Sequence, residues 1–429
     1  MLDDILKALV DRRAGIVTSV DYIESLPAGP VVHTYRGALA YPYAFVDGAR
    51  YREDTAKIIV SGSGLTRLDA LWSMIGEAVE RYSAYSFDSC RTSIAPFSEL
   101  RQSAVDPREW IGFADESFTQ DFPYQRFNED EPIRWVEAED SLSGERMLVP
   151  AANVWLRLGK ILPGENFAQR TSTGLGAGIS VGQARLSGLL EVIERDAFSS
   201  RWLLSAAPVR KTRACDITEA LGQTIGYSGI TAELYDISVE NIVPVSLARL
   251  TMPKREFGFC LGASAACSAS EADKKAVLEA YHILQGMIFW QSKSPPRLSS
   301  VDIRDFVDHG RYYSQPSAAE SATWFFENSG AADRPNETTA LDETDADATV
   351  KMIAERLSER GYRSYFVDIT PADIREMGFH VVKALVPGLQ PLTCGERVVA
   401  DDRRRLERVS MSLLRTTIFR LNRQLQPFA

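Results

Sequence analysis

The sequence predicts a single large domain of the α+β class with mixed sheets, preceded by an N-terminal extension. Predicted helices and strands alternate along all 429 residues without one clean linker between them. A hairpin signal, IRWVEAED–SLSGE–RMLVPA, implies antiparallel strand pairs beside the crossovers. Hydrophobic residues make up 45% and charged residues 25% of the chain, which is typical of globular proteins. We place the extension at residues 1–50 and the main domain at 51–429.

Hydrophobic periodicity gives the elements in chain order. Apolar residues recurring every three to four positions predict helices, and short β-rich runs bounded by Gly, Pro or polar clusters predict strands. The predicted helices cover residues 3–12, 66–85, 181–202, 272–290 and 350–360, and a last helix ends in LNRQLQPFA. Besides the hairpin, the predicted strands are AKIIV, ITAELYDIS, VPVSLARLTM, FGFCLGASAACS, YRSYFVDI and HVVKALV. Residues 327–348 are acidic and poor in apolar groups, which favours a mobile excursion.

Charge and composition exclude several classes of protein. The net charge of −10 argues against non-specific binding to nucleic acid or to an anionic membrane. The longest apolar stretches are too short or too broken by charge to span a bilayer. The N-terminus, MLDDILKALVDRR, lacks the apolar core of a secretory signal. Five scattered cysteines without a CxxC pair fit a reduced, cytoplasmic protein.

Two of the long predicted helices carry the same polar pattern, Ser-x-x-x-Glu-x-x-Glu-Arg. At about 100° per residue, the four side chains of each pattern share one sector of the helix. The rest of each helix is apolar nearly all round, so this sector faces a cleft or the protein interior. The residues are Ser73, Glu77, Glu80 and Arg81 in the first helix, and Ser187, Glu191, Glu194 and Arg195 in the second.

The third long helix adds Lys275, Glu279 and His282 at i, i+4 and i+7. If the three helices converge, five carboxylates meet fewer basic groups. Partly buried carboxylates must then protonate or find cations. Divalent cations that prefer oxygen ligands, Mg²⁺ above all, would balance this surplus. The alternative, an ordinary solvent-facing helix surface, is weakened by the second copy of the pattern, and for His282 a structural role is favoured.

The standard phosphate-binding motifs are absent. No GxxxxGK[ST] occurs, and Ile179 stands where the last glycine of GxGxxG would fall in TSTGLGAGIS. The sequence therefore excludes a P-loop and a Rossmann fingerprint. TSTGLGAGIS and SGSG (61–64) each precede a long helix and could present backbone N–H groups to an anion. A tight turn or close backbone packing remains an equal alternative for both segments.

Together these motifs resemble the YcaO family, and within it the azoline-forming branch that modifies ribosomally made peptides. The resemblance covers residues 10–429 and rests on SGSG, the two acidic helices, TSTGLGAG, KKAVLEAYH and TPADIREMGFHVVKALVPGLQPL. It implies an enzyme that uses ATP and Mg²⁺ without a P-loop. Such enzymes phosphorylate a backbone amide oxygen after attack by an adjacent Cys, Ser or Thr side chain, which yields a thiazoline or oxazoline.

The resemblance also implies site residues in this chain. Magnesium would be held by Glu77, Glu80, Glu191, Glu194 and Glu279. The nucleotide site would further include Ser63, Ser73, Arg81, Thr173, Arg195 and Lys275. The candidate catalytic residues are Glu191, Glu194, Arg195 and the C-terminal Ala429, the last because related chains end in a proline-rich tail that reaches the active site.

The chain departs from the family pattern at several positions. Ser63, Thr173, Gln183 and Lys275 stand where relatives often carry Lys, Asn, Glu and Arg, and only Pro427 remains of the proline-rich tail. These departures leave two alternatives open. One is peptide thioamidation with an external sulfide donor, and the other is a non-catalytic scaffold in a peptide-modifying complex.

The implied partners follow from the same resemblance. A precursor peptide is the substrate, and a separate E1-like subunit would bind its leader. An FMN-dependent dehydrogenase could oxidise azolines to azoles. We therefore expect a hetero-oligomer, with a dimer of this chain as one option, and no nucleic-acid or membrane partner.

Overall fold

The computed structural model describes residues 2–25, 31–40, 58–110, 112–212, 229–292, 298–327, 329–332, 340–395, 400 and 403–428. The α-helices are α1 (Leu2–Leu9), α2 (Arg67–Tyr85), α3 (Phe97–Leu100), α4 (Val181–Leu203), α5 (Ala269–Ser292), α6 (Phe306–Tyr313), α7 (Pro316–Ser321), α8 (Trp324–Glu327), α9 (Ala346–Ser358), α10 (Ala372–Glu376) and α11 (Arg403–Leu414). The strands are β1 (Val17–Ile23), β2 (His33–Leu39), β3 (Ile59–Gly64), β4 (Thr92–Ala95), β5 (Ile133–Asp140), β6 (Arg146–Pro150), β7 (Leu175–Gly178), β8 (Val209–Lys211), β9 (Thr231–Asp236), β10 (Val245–Thr251), β11 (Phe259–Ala265), β12 (Ala331–Ala332), β13 (Tyr365–Asp368) and β14 (His380–Leu385).

Three sheets form the framework. Their strand orders are β1-β2-β3, β11-β10-β9-β8-β12 and β4-β5-β13-β14-β7, with β6 paired to β5 in the third sheet. Among the strands described, every pairing is antiparallel except that of β8 with β12. One edge of each sheet is formed by β3, β11 and β7, respectively. These three edge strands carry the candidate site.

Side-chain caps fix where the first two long helices begin. The Thr66 hydroxyl accepts the Asp69 N–H at 3.1 Å before α2, and the Ser180 hydroxyl accepts the Gln183 N–H at 3.2 Å before α4. Each cap satisfies an N–H group that the first helical turn leaves unpaired, which stabilises a helix by about 1 kcal/mol. The caps thus set the register of the side chains that follow.

The hydrophobic core falls into three clusters, each against one long helix. The largest surrounds α4 and the sheet of β9–β11, the second lies between α2 and the sheet of β5, and the third lies under α5. Fully buried aromatic side chains fill them, including Trp202 and Phe198 in the first cluster and Trp135 and Trp155 in the second. Burying one such side chain stabilises the fold by roughly 1.5–3 kcal/mol. Packing therefore holds the three helices more firmly than local propensity does.

The predicted fold class is confirmed, and so are the three long helices. Residues 66–85, 181–202 and 272–290 correspond to α2, α4 and α5 within three residues at each end. The hairpin is also present, since β5 and β6 pair antiparallel. In its turn, the Asp140 carboxylate accepts the N–H groups of Leu142 and Ser143.

One predicted element is wrong, because the last helix does not extend into LNRQLQPFA. Helix α11 ends at Leu414, and residues 421–428 are not helical. Partners distant in sequence hold this tail: the Asn422 N–H donates to Leu203 O at 2.7 Å, and Trp202 Nε1 donates to Gln424 O at 3.0 Å. Hydrogen bonds to α4 thus replace the bonds that a helix would make within the segment.

Two further expectations concern the domain boundary after residue 50 and the acidic segment 327–348. Strand β2 pairs with β3, so hydrogen bonds cross the proposed boundary between residues 1–50 and 51–429, and that division stays a prediction. Of the acidic segment 327–348, residues 333–339 lie outside the described residues, and α9 begins at Ala346. Within the described ranges, no helix combines the length and the apolar character needed to cross a bilayer.

Candidate active site

The site is built from three helix–strand units: α2 on β3, α4 on β7 and α5 on β11. In each unit a strand glycine lies directly against the helix backbone, namely Gly62, Gly176 and Gly262. A Cβ atom added to any of them would come within 2.0–2.2 Å of a helix backbone atom. Only glycine permits this approach. The close packing brings helix side chains within reach of the strand amides.

One glutamate of each helix binds the strand of its own unit. One carboxylate oxygen accepts a backbone N–H that the edge strand, or the residue just before it, does not use in its ladder. An edge strand normally exposes a row of such unpaired groups. The pairs are Glu77 with the Ser61 N–H at 2.8 Å, Glu191 with the Gly174 N–H at 2.9 Å and Glu279 with the Ala263 N–H at 2.8 Å.

The second glutamates of α2 and α4 connect neighbouring units. Glu80 on α2 accepts the N–H of Ala177 in β7 at 2.8 Å. Glu194 on α4 accepts the N–H of Ala265 in β11 at 3.3 Å. The carboxylates therefore meet where the edges of three sheets converge, as the shared pattern of the two helices predicts.

Two arginines lie among these carboxylates. Arg81 is 3.4 Å from Glu77 at the margin of the group. Arg195 is 3.5 Å from Glu191 and 3.4 Å from Glu194, and its side chain is only 16% exposed. Its charge also acts on Glu279. Arg195 is thus the central cation of the group.

The carboxylates outnumber these cations, and their pKa values show it. Burial raises the pKa of Glu80 to about 8, and repulsion from Glu191 adds to the rise. Burial also raises the pKa of both Glu194 and Glu279; the carboxylate of Glu191 adds to each rise, and Arg195 opposes it. Without further positive charge, part of this group holds protons near neutrality.

This donor set fits a hard divalent cation. All five acids offer carboxylate oxygens, the ligands that Mg²⁺ prefers. Each backbone bond uses one oxygen of its carboxylate. In Glu77, Glu191 and Glu194 the other oxygen lies 3.4–3.5 Å from an arginine, so a metal would share that oxygen with the guanidinium group. Within the described ranges, no group of three or more His, Cys, Asp or Glu side chains is close enough to hold a metal ion as the side chains stand.

The other predicted nucleotide-site residues are spread around this centre. Ser63 lies in β3 opposite Thr34 and is half-buried, and Ser73 is exposed on α2, one turn before Glu77. Lys275 is also exposed, with Nζ 3.7 Å from Glu271. These positions rim the acid centre but do not contact it.

Thr173 and Lys383 lie on the far side of the centre, along a cavity described below. Lys383 has no counterpart in the predicted site. It lies in the middle of β14, where Nζ donates to Thr171 O at 2.8 Å. Burial lowers its pKa to about 8, although the carboxylate of Glu191 opposes the shift. The available signal was a single lysine inside the apolar run HVVKALV.

The C-terminal tail returns to the site. Ala429 lies outside the described residues, but Phe428 is 1% exposed, and the Arg195 guanidinium carbon lies 4.4 Å from the centroid of its ring. The side chain of His309, 2.7 Å from Gln426 O, holds the tail, as does the hydroxyl of Tyr313, which donates to Leu425 O. Phe428 thus brings the described end of the chain to Arg195, and the role of Ala429 stays a prediction.

A family model described as YcaO cyclodehydratase, ATP- and Mg²⁺-binding, matches residues 61–390 of this chain. The fold is similar to that of a heterocyclase solved in complex with substrate and cofactor, with a TM-score of 0.79 and 22% identity over 99% of this chain and 57% of the other. This chain thus spans little more than half the length of that heterocyclase.

Two further solved structures share the fold. The YcaO protein of Methanopyrus kandleri, solved with AMPPCP and Mg²⁺, gives a TM-score of 0.59 at 21% identity over 87% of this chain and 86% of its own. A chain of the E. coli microcin synthetase McbBCD complex gives 0.58 at 17% identity over 86% of this chain and 87% of its own. At these identities the likeness concerns the fold.

Proposed function

This chain belongs to the YcaO family of ATP- and Mg²⁺-binding cyclodehydratases, and on that premise we propose that it is the ATP-dependent cyclodehydratase subunit that converts Cys, Ser or Thr in a ribosomal precursor peptide to thiazoline or oxazoline. One observation carries the proposal: five glutamates from three helices bind sheet-edge amides and, among the described residues, share only two arginines, Arg81 beside Glu77 and Arg195 beside Glu191 and Glu194. Such a surplus of carboxylate suits a metal-bound triphosphate.

In this proposal Glu77, Glu80, Glu191, Glu194 and Glu279 hold Mg²⁺. When bound, the metal neutralises phosphate charge and polarises the group being transferred. The raised pKa values of Glu80, Glu194 and Glu279 support the assignment, because near neutrality a bound cation would replace the protons that these buried acids otherwise hold.

The arginine among these glutamates positions their carboxylates and balances part of their negative charge. Arg195 contacts Glu191 and Glu194, so it holds the two carboxylates of α4 in a fixed arrangement. The Gly174 N–H is already bonded to Glu191. The phosphate-facing groups of the 171–174 segment would therefore come from its other residues, with Thr173 as the named candidate.

The reaction requires little covalent chemistry from the protein. The thiol or hydroxyl of the peptide attacks the preceding carbonyl carbon and loses its proton, and the carbonyl oxygen takes the γ-phosphoryl group of ATP, releasing ADP. Departure of that oxygen as inorganic phosphate, with loss of the amide proton, forms the C=N bond of the ring. The net change is one water lost from the peptide. Positioning and electrostatic stabilisation supply most of the rate in phosphoryl transfers.

The tail and the partners are part of the proposal. Phe428 against Arg195 supports a role for the chain end, including Ala429, beside the reacting groups. One similar structure is a multi-subunit microcin synthetase and another was solved with its substrate, which supports a peptide substrate and partner subunits here. The leader-binding E1-like subunit and the FMN-dependent dehydrogenase remain the expected partners, and the cytoplasm the expected location.

Glu191→Gln tests the function. We expect this variant to lose ATP-dependent dehydration of the precursor peptide, measured by mass spectrometry as water lost per site. The control is Glu137→Gln, because Glu137 is exposed on β5 and paired only with Arg146 at the surface. Full activity of the Glu191 variant would contradict the proposal.

The same assay separates the two alternatives. Exchange of oxygen for sulfur in the peptide, without loss of water, would indicate thioamidation. Failure of the assembled complex to bind MgATP in calorimetry would indicate a non-catalytic scaffold.

A further inference from the structure

A cavity of about 120 Å³ lies beyond α4 from the acid centre. It is enclosed by β14, by the PGLQPLT segment that follows this strand, and by parts of the 110–113 and 168–173 segments. Its walls are mainly apolar, with Trp110 and Phe113 on one side and Val386, Leu389 and Leu392 on the other. It has room for several water molecules. None of the acids assigned to Mg²⁺ lines it.

Two residues that line this cavity carry a side-chain acceptor with no partner among the described residues. Gln390 is 2% exposed, and its Oε1 is unpaired, as is Oδ1 of Asn153. A buried polar atom without a partner is destabilising, so it calls for an explanation, and a bound ligand is one. Both side chains line the cavity. They therefore point to a ligand that donates hydrogen bonds.

Gln390 is held firmly in place. Its Nε2 donates to Ala400 O at 2.9 Å, which assigns Oε1 as the free acceptor. Its backbone N–H donates to the carboxylate of Asp196 at 2.7 Å, and Asp196 forms a buried ion pair with Arg405. Asp196 on α4, the helix that also carries Glu194 and Arg195, thus helps to hold the Gln390 acceptor in a fixed position.

The cavity adjoins the acid centre through α4 and the 171–174 segment. Val192, the neighbour of Glu191, lines it, as do Thr171 and Thr173. Lys383 also lies in its wall, and the charges of Glu191 and Arg81 both act on this lysine. A group bound here would lie beside the site of phosphoryl transfer and would meet a cationic donor.

The chemistry of the walls selects a peptide over a phosphate. Unpaired carbonyl oxygens repel phosphate oxygens but accept the N–H groups of peptide bonds, and Lys383 can donate to a peptide carbonyl. The apolar walls suit a small side chain and its flanking backbone. We propose that this cavity binds the acceptor residue of the substrate, with Gln390 and Asn153 accepting its flanking peptide N–H groups. The inference rests on the proposed function, whose substrate site it names.

The test uses a minimal probe, N-acetylcysteine N-methylamide, with binding to the full chain followed by saturation-transfer NMR. We expect Gln390→Leu to weaken binding at least tenfold. Because this change also removes the bond to Ala400, Ala168→Phe, which fills the cavity from its wall, is the second variant, with the same expected loss. Gln285→Leu is the control, since Gln285 is equally buried but bonds to Thr34 outside the cavity.

MgATP affinity, measured by calorimetry on the same variants, separates this inference from the proposed function. Weaker probe binding with MgATP affinity within twofold of wild type supports the peptide subsite. Loss of MgATP affinity in both cavity variants would assign the cavity to the nucleotide and overturn the inference. No probe binding to wild type at 100 mM, or no change in either variant, would also overturn it. In this experiment the proposed function is contradicted by a different result, the absence of MgATP binding to wild type.

Discussion

The two copies of Ser-x-x-x-Glu-x-x-Glu-Arg are identical in pattern but differ in surroundings. On α2, Arg81 and Glu77 are 33% and 30% exposed and form an ion pair at the margin of the site. On α4, Arg195 and Glu194 are 16% and 11% exposed, and Arg195 contacts two glutamates and the ring of Phe428. The ion pairs of the second copy are thus the more deeply buried.

The residue after each arginine explains this difference. On α4 it is Asp196, which forms a buried ion pair with Arg405 and fixes the helix to α11. On α2 it is Tyr82, whose hydroxyl donates to Asp373 at 2.8 Å on an exposed surface. A local motif thus fixes which side chains share a face. Its surroundings decide which copy is central.

Asp196 and Tyr82, the residues that follow the two arginines, should show the largest difference between the two copies. Asp196→Asn should lower the free energy of unfolding by about 3–5 kcal/mol, because it leaves the buried Arg405 guanidinium without its main counter-charge. Tyr82→Phe should cost no more than about 1 kcal/mol, since it removes one partly exposed hydrogen bond. Urea unfolding of both variants measures the difference. Equal losses would show that the two copies are anchored alike.

Substitution of the two arginines should give the next largest difference between the copies. Arg195→Ala should lower the rate of ATP-dependent peptide dehydration by about 10²–10³, the range found when one preorganised charge-stabilising group is removed. Arg81→Ala should lower it by about tenfold, because Arg81 pairs with a single glutamate. Arg146→Ala, at an exposed pair on β6, is the matched control and should leave the rate unchanged. A larger loss for Arg81 would reverse the order of the two copies.

The charge surplus predicts a pH dependence shared by both copies. Glu80 on α2 has a pKa raised from 4.5 to about 8, so between these values the folded chain holds a proton that the unfolded chain has released. Stability without ligands should therefore fall as pH rises from about 4.5 to about 8. Glu194 on α4, whose pKa is raised for the same reason, adds to this trend.

Thermal unfolding at pH 6 and pH 8.5 measures this effect. We expect the higher pH to lower Tm by roughly 2–4 °C, which for a chain of this length corresponds to about 2–4 kcal/mol. MgATP should remove most of the difference, since a bound cation replaces the protons. Glu80→Gln and Glu194→Gln should each reduce the pH dependence of Tm. A reduction in only one variant would show that only that copy of the pattern holds a proton in the folded chain.

The smallest expected effect concerns the tail, in which Phe428 contacts Arg195 of the α4 copy. Phe428→Leu keeps most of the apolar contact but removes the cation–π contact with Arg195. Such contacts contribute about 0.5–2 kcal/mol. We expect the rate of peptide dehydration to fall by about three- to tenfold, with MgATP affinity unchanged. Phe289→Leu, at an exposed position on α5, is the control.

The sequence predicts most of the architecture, because local signals specify it. Thr66 and Ser180 mark the starts of α2 and α4, and the apolar periodicity carries each helix to its observed end. The same reasoning fails for the C-terminal segment, which was predicted to be helical. Its conformation depends on Trp202 and Leu203, which are more than 200 residues away in sequence, and no local pattern encodes those bonds.

The site could be predicted to the level of a helix face and no further. Spacing placed Glu77 with Glu80 and Glu191 with Glu194, and the structure brings both pairs together with Glu279. Lys383 and Gln390 were missed because their roles arise from the pairing of β14 and from the cavity beside it. A lysine within an apolar strand is a usable signal, whereas an unpaired acceptor is visible only in three dimensions.

The bonds between the glutamates and the sheet edges also constrain how a metal can be coordinated. Glu80 already gives one oxygen to the Ala177 N–H, and Glu279 gives one to the Ala263 N–H. Because one oxygen of each carboxylate is already oriented toward an amide, we expect each carboxylate to bind a metal through its other oxygen, in monodentate fashion. The octahedral shell of Mg²⁺ would then be completed by water and phosphate oxygens. Larger ions such as Ca²⁺, which favour bidentate carboxylates, should fit this centre less well.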